Sequence, residues 1–484
     1  MGAHQLPQSN AIILPSSGWL SSRLGRRRYQ LISVSLFTFA SMACGAASGL
    51  GMLIAARAWQ GAAGGGLAPV SQAILLESFP VSKRGQAMSA YGMGILVSPL
   101  LGPLVGGWIT DNYSWRWIFY INVPIGILAL LMIHAFVEDP PYLDRMKGTR
   151  IDYIGFGFLA IALTAVQVVL DKGQEADWFA ASWVRWFVAI AAVALLAFII
   201  RELRVRSPIM NLRVFSDRNL TTGTFLMGLL GVIMYGTTAI LPLFLRDLIG
   251  YSAFQSGFAV APRGIGVIVS MILAARLIGR VDKRFLVAAG VVIRAVSLFM
   301  LGDLNLTMSM NNVIWPNIVN GFANGFQFVL LTTMTVKTLP KELMGSGAGL
   351  YNLLRNLGGS LGISMVTTLL VRGQQAHQNI LAASLNGSNP VYWNTLQRIS
   401  HFFATQSGYA TGSHLAMGML YRNLVQQAVL CSYIDDFRPL AYLSLVCLPF
   451  TFLFRNVKPG KQPKTAREYT ETDPDPSRST PPSV

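Results

Sequence analysis

The stretch QAMSAYGMGILVSPLLGPLVGGWI, residues 86–109, runs for 24 residues without one Asp, Glu, Lys or Arg. A helix rises about 1.5 Å per residue, so about 20 apolar residues cross a hydrocarbon core about 30 Å thick. This stretch therefore reads as a membrane-spanning helix. Within it Gly94, Ser98, Gly102 and Gly106 recur every fourth residue and form one ridge of small side chains along the helix. In lipid, close backbone packing replaces the hydrophobic effect between helices, so the ridge is expected to seat a neighbour tightly. Pro99 and Pro103 each remove a backbone donor and bend the helix. A bent, rigid seam suits a helix that rocks against an opposite half, and plain helix packing would use the same residues.

The same ruler applied outward finds apolar runs near 29–49, 51–77, 117–137, 152–171, 183–203, 219–245, 253–279, 284–302, 312–337, 345–371 and 437–455. The expected fold is all-α and integral to the membrane, with about twelve full transmembrane helices. Composition agrees. Charged residues are 12% of the 484, about half the share of a soluble domain, 52% are hydrophobic, and the mean hydropathy is +0.48. Such a chain cannot cover a soluble surface. Disorder and a disulfide-rich secreted fold are excluded on the same figures.

A net charge of +17 raises nucleic acid as a partner, and its distribution answers the question. Most Lys and Arg fall on alternate connections: Arg23 to Arg28, Lys83 and Arg84, Arg145 to Arg150, Arg201 to Arg218, Arg276 to Arg284, Lys337 and Lys341, and the tail from Arg455. This is the positive-inside asymmetry, which puts that side, and the C-terminus, in the cytoplasm. A clustered basic face with interleaved aromatics is absent, so no nucleic acid is expected.

Ahead of the first full span, Ala11 to Leu20 is an apolar stretch half a span long, and Met1 to Asn10 is no signal peptide. Together with parity this leads to the expectation of a partial first helix and a truncated N-terminus. The chain divides into an N-terminal helical half, 1–137; two extra central spans, 152–203; a C-terminal half, 219–455, with an external loop at 372–438; and a disordered cytoplasmic tail, 456–484. The loop is polar and mixed, with an amphipathic patch around Leu415 to Val429.

Four arginines, Arg57, Arg263, Arg294 and Arg355, lie inside apolar runs. Each costs about 2.5–3.5 kcal/mol near the bilayer centre, so four facing lipid would cost on the order of 10–14 kcal/mol. They must face an interior or snorkel. Arg57 and Arg263 lie within two to three turns of a helix start, so both readings stay open for them. Asn317, Asn320, Asn324 and Gln327 share one helix face, either bonding between helices or walling a wet cavity. Asn352 and Asn356 flank Arg355. No Asp or Glu lies mid-span, the nearest being Glu77, Asp247 and Asp303 at helix ends. Cys44, Cys431 and Cys447 read as small hydrophobes, and the five His have no ligand spacing, so no metal is expected. No nucleophile, base or metal constellation marks an enzyme.

Several motifs in order carry a resemblance. Gly18-Trp-Leu-Ser-Ser22-Arg23-Leu-Gly25-Arg26-Arg27 resembles the first cytoplasmic turn of the major facilitator superfamily, G-x-L-A-D-R-x-G-R-[KR]. Arg57-Ala-Trp-Gln60-Gly61 is similar to its R-x-x-Q-G motif, and Gly102-Pro103-Leu-Val-Gly106-Gly107 to the G-P-x-x-G-G motif of its antiporters. Trp115 to Gly126, Asn352 to Ser360 and Ile434 to Arg438 resemble segments of the fourteen-span drug:proton antiporters of the EmrB/QacA type. The resemblance runs from about Asn10 to Arg455. Ser22 departs from it, standing where the family has Asp, and so does the absence of a first span, whose carboxylate is thought to couple protons.

What the resemblance implies is a multidrug exporter of the inner membrane working by alternating access, with the proton gradient as energy source and no cofactor. Arg57, Gln60 and Gly61 would serve coupling, with Gly102, Pro103, Gly106 and Gly107 for gating. Gly18, Arg23, Gly25 and Arg26 would form the cytoplasmic turn, Arg23 or Arg26 pairing with Glu77. Arg263, Arg294, Asn317, Asn320, Asn324, Gln327, Asn352 and Arg355 would line a polar, positive substrate cavity. The partners are small hydrophobic substrates and membrane lipid, with a periplasmic adaptor and an outer-membrane channel as candidates through the 372–438 loop. An uptake permease, or a transport-defective protein with a sensing or scaffold role, remains the alternative.

Overall fold

The structure is a computed structural model and describes residues 17, 20–21, 23–80, 83–139, 152–205, 210, 212–278, 280–335, 338–339, 344–386, 388–407 and 409–454. Among them the architecture is helical, with a single isolated bridge between Ile278 and Val281. The helices are α1 Arg26–Gly45, α2 Leu50–Gly64, α3 Leu67–Ser78, α4 Arg84–Asn112, α5 Asn122–Phe136, α6 Tyr153–Lys172, α7 Ser182–Arg204, α8 Arg218–Leu243, α9 Ala253–Val260, α10 Arg263–Leu277, α11 Lys283–Leu301, α12 Asn311–Thr335, α13 Met344–Ala382, α14 Pro390–Ser407 and α15 Tyr409–Thr451.

Local chemistry sets many of these bounds. The apolar run 51–77 breaks into α2 and α3 across Gly64, Gly65 and Gly66, which hold helix poorly. The run 253–279 breaks into α9 and α10 around Pro262, and α8 loosens into a π-turn, Phe244–Leu248, just after Pro242. Asp152, Asp217, Ser252 and Asp282 each cap a helix by accepting a backbone N–H, with a full capping box at Ser252 and Gln255.

Helices α8, α10, α11, α12, α13 and α15 pack into one group, and α1, α2 and α5 into another. Helix α4 lies across the divide against α9, α10 and α12, while α3 meets α13. The pair α6 and α7 packs on itself and is tied by an ion pair of 2.7 Å between Arg201 and Asp152. Ile125, Leu131 and Phe136 of α5 and Trp186, Val193 and Leu196 of α7 are exposed, an apolar surface suited to lipid. By length and composition, seven helices among the described residues are apolar enough to cross a membrane.

Two expectations change. The segment 372–438 is mostly helix: α13 runs on to Ala382, and α14 packs along the first turns of α15. The segment is polar and mixed, but a helix paired with another needs only one apolar face. The ridge on α4 seats no neighbour among the described residues. A side chain placed at Gly94 or Gly102 would meet nothing within 4 Å among the described residues, and at Gly106 only Ile118, at 4.0 Å. The partners of α4 lie on its other faces. Gly18, the half-span Ala11 to Leu20 apart from Ser17 and Leu20, and the tail 456–484 lie outside the described residues.

Candidate functional site

Three polar clusters lie along the helices. At the basic end, Gly25 adopts φ +89°, a conformation that glycine reaches without strain. It turns the chain into α1 so that Arg26 points inward. There its Nη2 donates to Glu77 Oε1 at 2.7 Å and its Nη1 to Ser21 Oγ at 2.6 Å, with Arg26 1% exposed. Arg27 braces the turn from outside, its backbone N–H donating to Asp139 Oδ1 at 3.0 Å. Arg23 lies in the same turn.

The second cluster joins α2 to its neighbours. Arg57 Nη1 donates to Gln60 Oε1 at 3.2 Å, and the guanidinium lies over the Phe119 ring, 4.4 Å from its centre. Gln60 is buried, the Cys44 thiol donates to the same oxygen at 3.9 Å, and Gly61 is buried beside them. With its guanidinium over an aromatic face and its Nε buried without a partner among the described residues, the half-buried Arg57 is held in large part by protein groups.

The third is a cavity of about 60 Å³ between α4 and the C-terminal group, lined by Ile95, Leu96, Met234, Tyr235, Thr238, Arg263, Val267, Asn324 and Arg355. Arg263 Nη1 donates to Thr238 Oγ1 at 2.8 Å, while its Nε and Nη2, and Nε of Arg355, are buried without a partner among the described residues. The polar face of α12 lies deeper. Asn324 donates to Asn320 Oδ1 at 3.0 Å, Asn317 donates to the Val313 carbonyl of its own helix, and Gln327 Oε1 accepts from Arg294 Nε at 2.9 Å. Arg294 and Gln327 line a separate, smaller cavity inside the C-terminal group. Asn352 stands apart from both cavities, donating to Gln72 Oε1 at 2.8 Å across the contact between α13 and α3.

The structure thus brings Arg263, Asn324 and Arg355 together, pairs Arg57 with Gln60 and Arg26 with Glu77, and leaves Gly102 exposed and Gly106 and Gly107 half-buried. Sequence reasoning missed three residues. Gln72 was legible as a lone amide in an apolar run. Thr238 gave no signal. Asp436, one residue before an apolar run, sits inside α15 at 1% exposure with neither carboxylate oxygen bonded among the described residues.

Comparison with known proteins fits this geometry. Residues 2–363 match the family model described as Major Facilitator Superfamily. The chain is 34% identical to the Multidrug export protein EmrB of Escherichia coli (strain K12), over 91% of this chain and 84% of that protein. It is 32% identical to the Fatty acid resistance protein FarB of Neisseria gonorrhoeae, over 92% and 86% of the two chains. The human organic anion transporter MFSD10 shares the fold, with a TM-score of 0.60 at 15% identity over 93% of this chain and 82% of that one. The chain belongs to the Major Facilitator Superfamily, in the branch that holds the EmrB export proteins.

Proposed function

We infer that this protein is a multidrug efflux transporter that exports hydrophobic compounds by alternating access. The observation that carries the reading is the cavity between α4 and the C-terminal group. Its wall is apolar along Ile95, Leu96, Met234 and Val267, and cationic at Arg263 and Arg355. An apolar wall takes hydrophobic compounds by shape and area, and a few placed polar groups set their orientation. Unbonded guanidinium nitrogens in low dielectric repel a second cation and favour a group that accepts hydrogen bonds. Neutral or weakly acidic hydrophobic compounds are therefore the preferred cargo, and dications are not. The name of the Fatty acid resistance protein FarB supports an acidic hydrophobic cargo, and that of the Multidrug export protein EmrB supports export of several compounds. At about 60 Å³ the cavity is smaller than the roughly 300–1,000 Å³ of a drug-sized site, so loading requires the two sides to part.

The proton gradient drives the cycle in this reading, with Arg57 and Gln60 as coupling residues. The positive-inside pattern supports a plasma-membrane location with a cytoplasmic C-terminus. The helices beyond the external ends of α13 and α15 offer a surface to a periplasmic adaptor. The test is a resistance panel in a pump-deficient host, repeated with Arg263→Gln and Arg355→Gln. Resistance to weakly acidic hydrophobic compounds is expected to fall at least tenfold in the variants at equal membrane abundance. Preferred export of quaternary dications by the native chain would sink the cargo assignment.

A further inference from the structure

Arg294 is held for a purpose that the substrate cavity does not explain. Helix α11 buries Val287, Val291, Arg294, Leu298 and Leu301, a stripe at helical spacing that packs on α12 and α15 and faces α8 across a small cavity. Arg294 falls in the middle of that stripe, 1% exposed. Gly290, one turn earlier, lets Gln327 of α12 approach: a side chain there would come within 2.8 Å of the Gln327 Cγ. Gln327 uses this room to accept from Nε at 2.9 Å and so fixes the plane of the guanidinium. The two terminal nitrogens, Nη1 and Nη2, are then buried with no acceptor among the described residues. They border a cavity of about 20 Å³ otherwise lined mostly by apolar side chains, among them Leu230, Ile233 and Val287, with Ser444, Cys447 and Thr451 of α15 on its wall. The Ser444 hydroxyl is engaged elsewhere, donating to the Val291 carbonyl at 3.1 Å.

Charge makes the site specific. The ionisable groups that act on Arg294 are the Cys447 thiol and the Arg263 guanidinium, a second cation, and among the described residues no carboxylate bonds to it. A buried cation needs an anion and hydrogen-bond acceptors, or it destabilises the fold. Room for a water needs about 10–15 Å³ by this measure, so about 20 Å³ admits one particle of that size and excludes an organic tail. A drug bound at Arg263 and Arg355 cannot supply the missing charge.

We propose that Arg294, with Gln327 orienting it, binds a single monatomic anion, chloride under ordinary conditions, as a structural counter-ion inside the C-terminal helical group. The anion accepts from Nη1 and Nη2 and joins α11 to α8, α12 and α15. No bond is made or broken, and the site does not depend on what the protein exports.

The test uses the purified full chain in detergent at constant ionic strength, exchanging sodium gluconate, too large for the cavity, for sodium chloride. The folded form is expected to gain saturably with chloride, its ratio to the unfolded form rising about tenfold at ten times the dissociation constant. Bromide is expected to substitute and to give an anomalous scattering peak beside the Arg294 guanidinium in crystals. Arg294→Met, similar in length and uncharged, is expected to lose the chloride response, while Arg355→Met keeps it. Equal stability of the native chain in chloride and gluconate, or no bromide peak at Arg294, overturns the proposal and leaves water as the occupant. A chloride response that survives in Arg294→Met overturns it too, by placing the anion elsewhere. If Arg294→Met does not fold, the chloride titration and the bromide peak of the native chain still decide.

Discussion

The pair formed by Arg26 and Glu77 shows how a single contact can be poor at stabilising and still be worth keeping. Both side chains are almost wholly buried, yet Arg26 Nε and Glu77 Oε2 have no partner among the described residues. Taking two charges out of water is repaid only when their remaining donors and acceptors are satisfied, which they are not here. That fits a contact made to open. Breaking it one-sidedly, as in Glu77→Gln, is expected to cost about 3–5 kcal/mol, because a guanidinium is left buried without its anion. Replacing both, Arg26→Met with Glu77→Leu, is expected to restore or exceed the original stability. Thermal unfolding in detergent reads this difference. Transport by the double variant is nonetheless expected to fall, since the basic end loses the contact that holds it shut; full export by a stable double variant would end the latch idea. Of this site the sequence showed Arg26 as one of two arginines able to reach Glu77. It could not choose between them, because the choice depends on the positive φ at Gly25 and on Ser21 accepting the second bond. Arg57 is similar: nothing in its spacing pointed to the ring of Phe119, 62 residues along the chain, over which its guanidinium lies.

Helices can be read in the sequence more readily than their partners. The apolar runs matched helices because length and hydropathy are local properties, and the breaks at Gly64 to Gly66 and Pro262 follow from residue chemistry. Which face packs is not local. The small-residue ridge on α4 pointed to a tight seam, but tight seams lie elsewhere, between α10 and α12 at Gly266 and Gly321 and between α8 and α13. A side chain at Gly358 would run into the Gly228 carbonyl oxygen, at Gly362 into that of Val232, and at Gly231 into that of Arg355. Both helices carry their glycines on the facing side, so backbone meets backbone and packing holds them without side chains between. The seam also fixes Arg355, whose own carbonyl lies in it. Gly358→Ala is therefore expected to force the helices apart and destabilise by about 1–3 kcal/mol. Gly94→Ala is expected to be neutral or to stabilise by about 0.5–1 kcal/mol, since it meets nothing and removes a flexible residue from a helix. Melting curves of the two variants side by side check this; equal losses would mean that α4 has a partner on its ridge. Gly102→Ala divides structure from gating: unchanged melting with reduced export would assign the G-P-x-x-G-G ridge to motion and not to packing.

At the scale of the whole molecule, the contacts between the two ends of the chain decide which way the cavity opens. Helix α4 closes one wall of it, and the bond from Asn352 to Gln72 ties α13 to α3 at 2.8 Å. Gln72 and Glu77 lie on the same short helix, little more than one turn apart, and Glu77 is at its basic end. The amide bond and the ion pair thus sit near the same side, and for that side to open α3 must separate from α13. A transporter that alternates between two openings has to break one such set of contacts in each cycle. Neither the composition nor any one motif could reveal this pairing, because its partners are 280 residues apart and each alone is an ordinary amide in an apolar run. The consequence can be tested directly. In a chain whose native thiols at 44, 431 and 447 are replaced by serine or alanine, Gln72→Cys with Asn352→Cys brings two thiols into reach of a short cleavable cross-linker. Cross-linking is expected to reduce export to background, and cleavage of the linker to restore it, with each single variant unaffected by the reagent. If α3 and α13 stay together throughout the cycle, export will continue at full rate with the link in place, and the opening must lie elsewhere.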